Sequence, residues 1–190
     1  MSSRQVAGRV ARTAVLSLMA VLTAGTAWAG EKPTTPGYAA QLEEAYGPPS
    51  QQGFGSAVFH EVLRPGDELA AAALAKYRYF VGPLWDRFGE QAWMGSWREV
   101  HSRPSGARRD ILAELRAIED SEAKNSATLL LDAAENAVAA RAALVTAFDD
   151  PAVTELRVFN LGDGAAMSGL LVAGRRAAGG DTTYVVVLMD

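Results

Sequence analysis

The feature that most limits how this 190-residue chain can fold is its last apolar run, Thr183-Tyr184-Val185-Val186-Val187-Leu188-Met189. Its β-branched and aromatic residues predict a strand. Successive side chains of a strand point to opposite faces, and here both sets are apolar, unlike those of a half-exposed strand. At the end of a bare meander the same strand would leave unpaired N–H and C=O groups in water, an aggregation hazard. The run therefore needs a neighbour. Residues 56–63, Ser56-Ala57-Val58-Phe59-His60-Glu61-Val62-Leu63, match it in length and composition and are closed by the turn formers Arg64-Pro65-Gly66. The expectation is that 56–63 and 182–189 are adjacent strands. The alternative is an edge left for another chain to add a strand to.

Two further strands are predicted at 154–161 and 167–173, separated by Gly162-Asp163-Gly164, whose Asp-Gly step suits a tight hairpin. Upstream of them the apolar period is helical. Leu69, Ala72, Ala73, Leu74, Tyr77 and Phe80 predict a helix over 68–81 with Asp67 as its N-cap, and Gly82-Pro83 interrupts it before a further turn at 84–88. Residues 91–101 read as a helix stopped where Arg103 precedes Pro104. Ser105 is placed to cap the next helix, which carries Ile111, Leu112, Leu115 and Ile118. The longest helix is expected at 126–148, with the stripe Leu131, Ala134, Val138, Ala142, Val145 and Phe148, ended by Asp149-Asp150-Pro151. A helical block followed by an antiparallel meander makes residues 56–190 a single α+β domain, with three to four strands and the long helix packed on one sheet face. A helix followed by three antiparallel strands resembles cystatin-like and NTF2-like folds in architecture, a likeness that implies nothing about function.

Ahead of that domain the chain reads as an address and an arm. Arg4, Arg9 and Arg12 precede an uncharged run from 13 to 26, and Ala27-Trp28-Ala29 supplies the small-x-small pattern of a cleavage site. Residues 1–29 thus read as a signal peptide, and the protein as periplasmic or secreted. Residues 30–55 are rich in proline and glycine and read as a flexible or loosely docked arm. Within it, Tyr38, Leu42 and Tyr46 share one face of a possible short helix.

Charge and cysteine content narrow the function classes. The leader carries three of the 18 basic residues and none of the 22 acidic ones, so the remainder stands at −7 rather than the −4 of the full chain. Such a surface repels nucleic acid and anionic lipid, so neither nucleic acid nor, after cleavage, membrane is an expected partner. With no cysteine there is no disulfide, thiolate metal site or cysteine nucleophile.

The candidate binding residues are aromatic. Trp93, Trp97 and His101 recur every fourth position and would stack along one face of the 91–101 helix, with Trp85 just upstream. They are either core or a platform for a ligand, and Trp85, Trp93, Trp97 and His101 form the candidate ligand set. Catalytic signals are weak: His101 with Glu99 is an acid/base candidate. His60-Glu61 lacks the second histidine of a zinc-protease motif, since Arg64 stands in its place. Asp163 and Asp181 alone supply too few oxygens for calcium. No metal or cofactor is expected. The chain reads as an exported, non-enzymatic binding or interaction module that contacts a protein partner or a small apolar ligand. The alternative is a small periplasmic hydrolase or isomerase with a pocket between helices and sheet. Oligomeric state is not legible.

Overall fold

The strand pairing demanded by the apolar run is the one the chain makes. In the computed structural model, which describes residues 35–177 and 179–190, β1 (Gly55–Val62) lies antiparallel to β5 (Asp181–Met189), with Val58 opposite Val185 and Phe59 opposite Tyr184. The predicted signal peptide at 1–29 lies outside the described residues. β4 (Ser168–Arg176) flanks β5 on its other side, β3 (Val153–Gly162) follows, and β2 (Arg98–Ser102) closes the order β1-β5-β4-β3-β2. Every neighbouring pair is antiparallel. With seven helices among the described residues, the fold is α+β.

Alternation along β5 explains why both of its side-chain sets are apolar: each joins a different core. Tyr184, Val186 and Leu188 face the same side as Ala57, Phe59, Leu171 and Phe159. That core is completed by α2 (Leu69–Val81), α3 (Pro83–Phe88) and α4 (Glu90–Met94). Val185 and Val187 point the other way, with Val58, Leu170, Val172 and Val158. Their core is completed by α1 (Gly37–Tyr46), α5 (Ile111–Arg116), α6 (Ser121–Asp132) and α7 (Ala137–Phe148). Where α7 meets β4, the Phe148 ring lies against Gly174, and a Cβ there would come within 2.6 Å of it.

Several expectations are corrected. The sheet has five strands rather than three to four, because the edge strand 98–102 takes in residues 98–101, the expected end of the 91–101 helix. The long 126–148 helix is two helices. Asn136 caps the second by accepting from the Ala139 N–H at 3.1 Å, and Arg141 Nη1 donates back to the Leu131 carbonyl at 3.2 Å and to Asp132 at 2.8 Å. α5 is capped by Asp110 rather than Ser105. Asp67 caps no helix; its carboxylate accepts from the Arg64 N–H and so closes the preceding turn.

The stretch read as an arm is packed at its helical part. Ala39, Leu42 and Tyr46 of α1 are buried, and the Tyr46 hydroxyl donates to the Leu130 carbonyl at 3.0 Å. The Arg176 guanidinium lies 3.8 Å over the Tyr38 ring while its Nη1 pairs with Asp150 at 2.7 Å, which clamps the start of α1 to the sheet. Gly47, at φ 87°, then turns the chain so that its carbonyl accepts from the Val58 N–H and covers part of the outer edge of β1. Among the described residues no helix is long and apolar enough to cross a membrane.

Candidate functional site

The tryptophans are drawn together, but inward. The helix expected over 91–101 is only Glu90–Met94, so Trp93 sits on α4, Trp97 in the link that follows and His101 on β2. Trp93 is fully buried and stacks on Trp85 with centroids 6.3 Å apart. Trp97, half-buried, lies parallel to Phe159 at 4.5 Å and to Tyr77 at 5.8 Å. The Tyr77 hydroxyl reaches the backbone of Gly162, donating to its carbonyl at 3.3 Å. Trp93 Nε1 donates to the Leu84 carbonyl. These rings therefore fill the core between the sheet and α2–α4, each against another ring.

His101 and Glu99 do not meet. A bulge between them breaks the β2–β3 register. Glu99 pairs with Arg157 at 3.3 Å, whereas His101 Nε2 lies 3.0 Å from Glu114 Oε2 of α5. α5 belongs to the core on the opposite side of the sheet from the tryptophans, so histidine and indoles share no pocket. His60 lies far along the sheet, with Nδ1 3.3 Å from the Thr183 hydroxyl. Among the described residues no three histidine or acidic side chains are grouped to hold a metal ion.

The best-developed polar constellation went unread in the sequence. Arg103, 6% exposed, extends its guanidinium to Glu114 at 2.7 Å, to the Phe148 carbonyl at 2.7 Å and to Asp149 at 3.1 Å. Asp149 also accepts from the Ile111 N–H at 2.9 Å, so one carboxylate joins the end of α7 to the start of α5. Burial alone pushes the Glu114 carboxyl up, but hydrogen bonds from His101 and Arg103 outweigh it and hold the group below its ordinary value. For Asp149 burial wins, and its carboxyl is raised. The hollow beside this cluster, about 360 Å³, is lined by His101, Arg108, Asp110 and Glu114 and contains no hydroxyl nucleophile. Its groups are occupied with one another. The arrangement staples β2, α5 and the end of α7 together.

That staple has an acid signature. A carboxyl whose folded pKa is depressed stabilises the fold above its unfolded value, near 4.3 for glutamate, and loses that contribution as pH falls through the folded value. Asp150, held down by Arg176 and the Ala152 N–H, acts in the same direction; Asp149, being raised, acts against it. Stability measured from pH 5 down to 2 is expected to fall, with a shallower decline in Glu114→Gln. An unchanged slope in that variant would show that Glu114 is not held in its charged form.

A hollow of about 680 Å³ lies elsewhere, between α1 and α7. Its floor is alanine, including Ala139 and Ala142, and its walls carry Glu44 and Glu135. α7 reads Ala137-Val138-Ala139-Ala140-Arg141-Ala142-Ala143-Leu144-Val145-Thr146-Ala147-Phe148 and is apolar on nearly every side. Only one side is used by the core: Ala140, Ala143, Leu144, Ala147 and Phe148 are buried, while Val138 is 72% and Val145 38% exposed. Ala139 and Ala142 are exposed beside them. The chain matches no known protein-family model, no curated protein and no solved structure.

Proposed function

We propose that the protein is an exported, non-enzymatic interaction module that holds a protein partner on the face made by α1 and α7. The observation that carries this reading is α7 itself. A helix apolar all round is normally buried all round, yet one face of this one stands in water. Export is read from the leader pattern at 1–29. The indole rings of Trp85, Trp93 and Trp97, each set against another ring, speak against a platform for a small apolar ligand. The enzymatic alternative draws no support from the His101 hollow, whose charged groups are paired and which has no nucleophile among its lining residues.

A photo-crosslinking residue placed at Val138 or Ala142 in the producing organism is expected to capture one partner species. The same residue at Asp86, exposed on the far side of the sheet, is expected to capture none. Val138→Asp should abolish the adduct made from position 142 while leaving the melting temperature within about 2 °C, as for a surface substitution. Equal capture from positions 86 and 142, or none from either α7 position, would reject the reading.

A further inference from the structure

We infer that the partner element seated between α1 and α7 is a cationic amphipathic helix. The inference rests on the reading of this face as the contact surface, and it follows from what the groove offers. The α1 wall and the body of the α7 wall are helical, with most backbone groups bonded internally, so an extended peptide would find few main-chain partners there. A helix brings its own backbone satisfied. The floor favours close approach: Ala139 and Ala142 carry nothing beyond Cβ, and the distance between packed helices is set by the side chains at the contact. α7 has 12 residues, about 18 Å at the helical rise, which matches three turns of a partner.

Charge selects the sign. Glu44 on the α1 wall and Glu135 in the turn before α7 form no ion pair among the described residues. The one arginine of α7, Arg141, is turned to Asp132 and the Leu131 carbonyl. An occupant with lysine or arginine flanking an apolar stripe answers both walls at once, and the acidic chain steers it inward. A second copy of this chain is the poorer fit, because a two-fold contact would set Glu44 and Glu135 against themselves.

The probes are two synthetic amphipathic peptides of about 14 residues, four helical turns. They share the same leucine and alanine stripe and carry lysine in one and glutamate in the other. Anisotropy titrations with the purified chain are expected to show binding of the lysine peptide only, weakening as salt rises from about 50 to 200 mM. Glu44→Lys with Glu135→Lys should weaken it at least about tenfold, with an unchanged circular dichroism spectrum. Asp86→Lys should leave it as it was. Equal weakening by Asp86→Lys would mean bulk charge attraction and overturn the inference, as would equal binding of both peptides. So would reversible self-association abolished by Val138→Asp, which makes the face a homodimer contact. In the first two cases partner capture from Val138 still stands, so the partner class fails without the interaction surface; absent capture removes both.

Discussion

Trp93→Ala is expected to lower the stability of the protein by about 3–5 kcal/mol, the usual cost of emptying a large aromatic site. Trp93 is fully buried, stacked on Trp85 and met edge-on by Tyr77 and Phe88, each at 6.3 Å between centroids. Its Nε1 donates to the Leu84 carbonyl, so alanine removes that hydrogen bond together with the ring contacts. Against a typical total of about 5–15 kcal/mol, the loss leaves a marginal fold. Urea denaturation followed by far-ultraviolet circular dichroism measures it. A variant that melts like the parent would mean that the indole is not a core element, and the ligand-platform reading of Trp85, Trp93 and Trp97 would return.

Arg103→Met is expected to cost a similar amount, about 3–5 kcal/mol, because it strands Glu114 and Asp149 in a site with little access to water. Methionine keeps the length of the stem, so what is lost is the fork that ties two carboxylates and the Phe148 carbonyl. Arg98→Met provides the contrast. Arg98 pairs with Asp120 at 2.7 Å but is 40% exposed, and a surface pair of that kind contributes about 1 kcal/mol or less. The two variants compared in one denaturation series should differ several-fold. Equal losses would mean that burial of the Arg103 cluster does not govern its energetics.

The strands were legible where burial dictates the residue type. Val185, Val186 and Val187 permit little but a buried strand, and only 56–63 matched them in length and composition. β2 was hidden because an edge strand is subject to different demands: Arg98, Glu99 and His101 are charged or polar, and a bulge removes the alternation. The spacing of Trp93, Trp97 and His101 then imitated a helix. Gly95 and Ser96, just after Met94, are the signal that could have stopped it. The break between α6 and α7 lies among residues that all tolerate helix, and only Asn136, a good N-cap, marks it. Of the candidate site, the apolar excess of α7 is written in its composition, but which side would stay in water depends on where α1 docks. The Arg103 staple was unreadable for another reason. Its members, Arg103, Glu114 and Asp149, are brought together only by tertiary contact, and each reads locally as a helix boundary or a solvated charge.

The position of β5 sets the order in which the molecule can come into being. It follows every other described element in the chain yet lies inside the sheet, between β1 and β4. While residues 181–189 are still to be synthesised, β1 has no strand to pair with and neither core can close, however much of the helical material is already made. Contacts between segments this distant in sequence form late and slowly. The same arrangement that shields the most aggregation-prone run in the folded protein leaves that run bare for as long as β1 and β4 have not closed around it, the interval in which a chaperone has something to hold.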